Sequence, residues 1–299
     1  MKQIFWVIIL LPILIGCNSD PVNKKTFTLK KTWKKGEVHK YKMTYRKTIP
    51  SQKKRGTVPI DLEMFYTLSY FKPKRGNVLV DLKLDKINNH TSGSLDGEGK
   101  LTLASYGLDM LLELEPNGKF MRLENTVQIK KQMIEKMTPH IGKAQAETFN
   151  NIDAYEQQRV LESFFLREFD FLFLNYGKTY VLDQQIISDS LVRATPSLPS
   201  SRISTTLNTK TKGALFEIKK DINTLVDASS LPRGGANYVT EAATIEAIEN
   251  ATYDTTGIIL KGIKSRTSTG GNVTIQFQDG TTKSAPNLKS TETWTIEKI

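Results

Sequence analysis

Cysteine is nearly missing from this chain of 299 residues: Cys17 is the only one. No intrachain disulfide can form, and a lone sulfur supports neither a thiolate metal site nor thiol catalysis in the folded body. Histidine is almost as scarce. His39, His90 and His140 lie far apart, and no His-Glu-x-x-His pair is present to hold zinc. Long apolar runs are missing too, with one exception. Ile4 to Ile15 is continuous apart from Pro12, but its 12 residues fall short of the roughly 20 that a spanning helix needs. Acids are nearly absent from residues 24–55, where thirteen cations face Glu37 alone.

Catalytic signatures are also lacking. There is no Gly-x-Ser-x-Gly elbow. Gly177-Lys178-Thr179 ends like a phosphate loop, but Leu172 stands where that loop needs glycine, so a turn before a strand accounts for it. Ser51-Gln52-Lys53-Lys54 and Ser69-Tyr70-Phe71-Lys72 have Ser-x-x-Lys spacing without the Ser-Asp-Asn and Lys-Thr-Gly partners. Asp96-Gly97-Glu98-Gly99 holds two carboxylates in a turn, far short of a calcium loop. The expectation is a protein without enzymatic activity, metal or cofactor.

What is present begins at the N-terminus. A cationic start, Met1-Lys2-Gln3, leads into the apolar run, which ends in Leu14-Ile15-Gly16-Cys17. The length and flanks fit a signal peptide rather than a membrane span. The final four residues resemble the lipobox of bacterial lipoproteins. That resemblance implies removal of residues 1–16 and a diacylglycerol with a palmitate-like acyl chain on Cys17, the membrane-anchored state of a cell-envelope lipoprotein. Two or three chains anchor stably where one is marginal. The alternative is a plain secreted protein with a stray cysteine. Asn18-Ser19-Asp20-Pro21 does not choose between membranes or faces.

Residues 24–55 supply +12, whereas the whole chain carries +11, so the remainder is close to balanced. Lys24, Lys25, Lys30, Lys31, Lys34 and Lys35 follow the anchor directly and are candidates for contact with anionic lipid headgroups. The bland alternative is a lysine-rich linker leading to an edge strand whose solvated lysines discourage pairing. Nucleic acid is not an expected partner of an exported, lipid-anchored chain. His39, on a lysine-rich strand, is expected to be solvated, and His140 to sit at a helix end.

Along the chain, residues 17–26 read as the lipidated cysteine and a tether, and 27–299 as a single β-rich domain. Residues 37–49 and 60–71 are strand-like, and Lys72 to Gly76 reads as a turn. Val78, Val80, Leu82 and Leu84 alternate with Asp81, Lys83 and Asp85, the pattern of a half-buried antiparallel strand. Pro116-Asn117-Gly118 marks a hairpin. Ile129, Met133 and Met137 then recur every four residues, which predicts a helix from Asn125 to Met137 stopped by Pro139. Further helices are predicted at 143–150 and 153–169, followed by a period-two stretch at Phe169, Phe171 and Phe173. Strands are expected at 178–187, 202–209, 213–222, 238–250, 257–267, 272–278 and 291–299, with Pro232-Arg233-Gly234-Gly235 as a loop.

The fold class that follows is mainly β or α+β. Antiparallel sheets in two β blocks, 27–124 and 171–299, flank a central helical block, 125–170, packed on one face. The Lys-Lys-Gly-Glu…Tyr opening, Lys34 to Tyr41, resembles a family of envelope lipoproteins that carries no activity over. A half-open sheet capped by helices is similar in outline to the lipoprotein-carrier fold. Two readings of function lead, beside a third, a hydrolase whose site is assembled only in space: the first is a structural or interaction protein that meets a protein or glycan through its sheet, the second a binder of an apolar ligand such as a lipid or acyl chain. The second places a cavity at Met133, Met137, Phe164, Phe165 and Phe169, between helices and sheet.

Overall fold

The structure, a computed structural model, describes residues 25–51, 56–92, 105–141, 143, 147, 158, 161–162, 172–193, 199–233, 236–285 and 289–299. Cys17, Lys24, Phe164, Phe165, Phe169 and the Asp96–Gly99 turn lie outside them, as does the Met137 side chain. The described chain is mainly β, with seventeen strands.

Eleven strands make one sheet. The first block supplies β2 (Val38–Ser51), β3 (Gly56–Lys74), β4 (Asn77–Asn89), β5 (Asp109–Leu114) and β6 (Phe120–Leu123). The second supplies β8 (Gln185–Val192), β9 (Ser201–Lys212), β10 (Leu215–Val226), β13 (Ala243–Asp254), β14 (Ile259–Gly270) and β17 (Ser290–Lys298). Their order is β6-β5-β4-β3-β2-β17-β14-β13-β10-β9-β8, antiparallel throughout. Strand β2 is therefore central and not the edge strand expected from its lysines. Its neighbour β17 comes from the far end of the chain, and Tyr45 stacks on Trp294 across that joint with ring centroids 4.1 Å apart.

Local chemistry sets the hairpins. Arg75 and Gly76 both have positive φ, 48° and 89°, the two-residue turn whose twist matches the flanking strands. The expected turn from Lys72 thus shrinks to two residues. Pro73 stays inside β3, beside a register slip at Tyr70/Lys72, one of the places a sheet tolerates proline. Pro232 is likewise in a strand: β11 (Ser229–Arg233) is the edge of a four-stranded sheet with β12 (Ala236–Thr240), β15 (Val273–Phe277) and β16 (Thr282–Ala285).

The helix α1 spans Thr126–Ile141, with Pro139 inside it. Proline removes one i→i−4 hydrogen bond, and in the last turn the helix ends before a second is needed. Asn125 does not cap α1 with its side chain. Its amide instead grips β5, accepting from Leu111 N at 2.8 Å and donating to Asp109 O at 2.8 Å. The other predicted helices fall largely outside the described residues. Leu172 and Phe173 are helical, so the period-two reading fails there, and Phe173 faces Phe120 at 6.2 Å.

The N-terminal strap shows how far the sheet curls. It begins with β1 (Thr26–Thr28), which pairs with β7 (Thr179–Val181). Lys25 and Thr26 are already part of the folded body. Leu29 is fully buried and exchanges backbone hydrogen bonds with Gly177 and Lys178. Lys31 N donates to Asn117 O, and a Cβ on Gly257 would stand 2.0 Å from Lys30 O. Consecutive strap residues thus touch the β5–β6 turn and the β13–β14 turn. Those turns lie six strand spacings apart, about 29 Å in a flat sheet. The sheet must therefore wrap around, and the strap crosses its open end.

Inside the curl lies the core. Met43, Tyr45, Leu62, Met64, Tyr66, Leu68, Val80, Leu82, Leu84 and Ile296 are all nearly inaccessible, along with Ile129 and Met133 from α1. Outside, Glu113 of β5 is buried under Lys74 (2.9 Å), Asn77 (2.6 Å) and Arg122 (2.9 Å). The hydrogen bonds from Lys74 and Asn77 hold its carboxyl down at about 2.

Two predictions follow from this packing. Gly36→Ala and Gly257→Ala share a positive φ, but only the second puts a Cβ into backbone. Denaturant unfolding should show a loss of about 1 kcal/mol for Gly36→Ala and about 3 kcal/mol or more for Gly257→Ala. Because the folded pKa of Glu113 is below its ordinary 4.5, its contribution is complete above that value and disappears as pH falls toward 2. Unfolding midpoints of Glu113→Gln should lie below those of the parent at pH 7 and converge on them near pH 2.

Candidate functional site

In the second β block, the inner face of the sheet is buried at the strap end and half-exposed toward the other. On β10 the first inward residues, Phe216 and Ile218, are buried, while Lys220, Ile222, Thr224 and Val226 are half-exposed. The ladder puts Leu207, Thr205 and Ile203 of β9, and Glu249, Ala247 and Ile245 of β13, on the same face. Where the dry core stops, a cleft of about 200 Å³ begins.

Its apolar wall is Leu174, Tyr180, Ile186, Leu207, Ile218 and Ala251, and its polar rim is Lys178, Lys220, Lys264 and Glu249. The Glu249 carboxylate lies 3.2 Å from Lys264 and 3.8 Å from Lys220, so two ammonium groups share one acid. Asn175 stands at the inner end. Its amide nitrogen donates to Tyr253 OH at 2.9 Å and its oxygen accepts from Tyr180 OH at 3.0 Å. Burial pushes both phenols above their ordinary range, so they stay neutral at physiological pH. A second, more open hollow of about 580 Å³ lies along β8, β9 and β10, among Leu191, Arg202, Ser204, Asn223 and Leu225. The register puts these on the outer face.

Of the residues expected to line a cavity, Met133 is 2% exposed and part of the packed core, away from both hollows. The cleft instead uses the segment just after 173 and the strands of the second β block. Of the lysines expected to meet headgroups, Lys25, Lys30, Lys34 and Lys35 are exposed. Lys31 is not: it is buried at 4% and ion-paired to Glu37, with its ammonium 5.1 Å from the Trp33 ring centre. His39, expected in solvent, is 7% exposed, bonds Glu37 at 2.8 Å and packs 5.4 Å from Trp33. Burial pushes its imidazole below the ordinary value against the pull of Glu37. Burial alone would raise Glu37, but hydrogen bonds from Lys31, Lys34 N and His39 hold it low. Lys34 N donates to Glu37 Oε2 at 2.8 Å and Glu37 N to Lys34 O at 3.0 Å. The Lys-Lys-Gly-Glu opening is therefore a self-capped turn that aims an acid at a buried lysine and histidine.

Among the described residues, no group of three His, Cys, Asp or Glu side chains is placed to hold a metal. No described helix is long and apolar enough to cross a membrane.

No protein-family model matches the chain, and no curated protein matches it. Among solved structures, a mutant of Rh. blastica porin is 6% identical, covering 88% of this chain and 99% of its own, with a TM-score of 0.21. OmpT, an outer membrane protein of Vibrio cholerae, is 6% identical over 89% and 100%, with a TM-score of 0.22. Superpositions at that level carry no argument about fold or function. Among the described residues, the eleven-stranded sheet is open, with β6 and β8 at its edges.

Replacing Asn175 with Leu would strip buried Tyr253 and Tyr180 of their shared partner. Thermal or denaturant unfolding should register a loss of about 1–3 kcal/mol.

Proposed function

We propose that the protein is a cell-envelope lipoprotein, anchored through acylated Cys17, that binds a small amphiphile in the inner-face cleft without catalysing a reaction. The ligand class is an apolar chain with an anionic head. One observation carries this reading: the sheet's inner face passes from sealed core to an aliphatic cleft rimmed by three lysines and one glutamate. The walls supply non-directional burial, and the few charged groups would set the orientation of a bound head. At about 200 Å³ the cleft is smaller than a typical drug-sized site. It suits a short chain, or the head-proximal part of a longer one continuing past Ile222, Ile203 and Ile245 on the same face. The lipobox-like Leu14-Ile15-Gly16-Cys17 supports the anchor and the envelope location.

A second reading, an interaction protein with a protein or glycan partner, is favoured by the outer face. Ile187 and Leu191 are each 63% exposed there, and Leu225 is 44% exposed.

Native mass spectrometry of the full acylated chain, before and after organic extraction, separates the two. An extractable mass of lipid size and uptake of a fluorescent fatty acid are expected. Leu207→Trp should fill the cleft and abolish uptake, and Lys264→Glu should weaken it about tenfold, equivalent to about 1.4 kcal/mol. A bare mass together with no fatty-acid uptake by the unsubstituted chain overturns the ligand reading and leaves the outer face as the working surface.

A further inference from the structure

Antiparallel order places particular turns at one end of the sheet. Strand β2 starts there, so β3 ends there and presents Arg75 on its turn. The strap brings Lys30, Lys34 and Lys35 to the same end. Strand β9 ends there as well: Leu182 N donates to Lys25 O and Asp183 N to Thr209 O, which puts Lys210 and Lys212 beside the strap's first residues. All six of these cations are exposed.

Among the described acids at this end, three are engaged, and Asp183 and Glu297 stay exposed, two acids against the six cations. Glu37 faces Lys31 and His39. Glu115 pairs with Lys119 at 3.1 Å. Asp254 accepts from Thr256 N and Ile258 N in its own turn, both at 2.9 Å. The end that receives the tether is therefore a basic platform built from distant parts of the chain. Only its strap portion is visible as a lysine run in sequence.

Cys17 precedes Lys25 by eight residues, a reach of about 28 Å at full extension. Attraction to an anionic surface fades over about 8–10 Å at physiological ionic strength. The face nearest the anchor is thus the one whose charges act. We propose that this end of the sheet rests on an anionic phospholipid leaflet, with the β3–β4 and β9–β10 turns in contact with headgroups and the β10–β11 connection pointing away. The proposal rests on the Cys17 anchor, which has its own readout below.

The test uses full acylated chains in vesicles of phosphatidylcholine, with and without phosphatidylglycerol. An environment-sensitive dye is placed on Ala214→Cys, at the β9–β10 turn, or on Ala228→Cys, after β10. The two positions mark opposite ends of one 12-residue strand, about 40 Å long. Acylation is read independently from the mass of the N-terminal peptide. An unmodified Cys17 sinks the anchor reading whatever the dye reports. With acylation present, the dye at 214 should shift blue only when phosphatidylglycerol is included, and the one at 228 in neither case. The shift should vanish in about 1 M salt, where screening is nearly complete, and in Arg75→Glu/Lys210→Glu/Lys212→Glu. Identical emission at 214 in both vesicles, or a shift at 228 instead, overturns the proposal.

Discussion

The seam between β2 and β17 is the constraint on which the rest depends. Strand β2 is the first strand of the large sheet in chain order and β17 the last, yet they lie side by side at its centre. Strands β3 to β6 extend from one side of the seam, and β14, β13, β10, β9 and β8 from the other. Tyr45 and Trp294 stack across it, so the seam is a large aromatic contact as well as a backbone ladder. Joining segments so distant in sequence is slow, because loop closure precedes any compensating contact. The hairpins on either side can form locally, but the shared core closes only at the seam.

The strap completes what the seam begins. A curled sheet has an open end, and the strap runs across it with Leu29 inside and Lys25, Lys30, Lys34 and Lys35 outside. The glycines that let it pass, Gly118 and Gly257, sit in turns that would otherwise collide with its backbone. The Lys34–Glu37 turn then redirects the chain into β2 while fixing Lys31 and His39. Tether, core and basic platform are thus mechanically one piece. Toward the other end of the second β block the inward residues are half-exposed, and there the cleft forms.

Much of this was legible in the residues. Alternation identified β4 down to its buried Val78, Val80, Leu82 and Leu84, and Pro116-Asn117-Gly118 marked a real hairpin. The misses share a physical cause. Lysine and histidine were read as solvated because charge was visible and partners were not, yet Glu37 lies close enough to pair with Lys31 and to hydrogen-bond His39. Strand β2 looked like an edge because its neighbour β17 is at the other end of the chain. Pro232 looked like a loop, but an edge strand asks nothing of its missing N–H. The cavity expected around Met133 and the phenylalanines is not where the cleft lies. The cleft arises where buried inward residues give way to half-exposed ones, a boundary set by what packs beneath the sheet and not by any residue's own pattern.

The two edges of the large sheet are finished differently. Strand β6 is four residues long, and Leu123 N is occupied by the Glu162 carboxylate at 3.0 Å. Strand β8 is eight residues long and exposed throughout; it carries no lysine, proline or glycine, and Asp189 is its one charge. Such a row can template a further strand from another chain, because backbone complementarity alone suffices and alternating Ile186, Ser188 and Ser190 set only a loose register. Among the described residues, the ladder is unfinished on that side. At high concentration, crowding on a surface included, Asp189 is the one charge within β8 that opposes a second chain adding there.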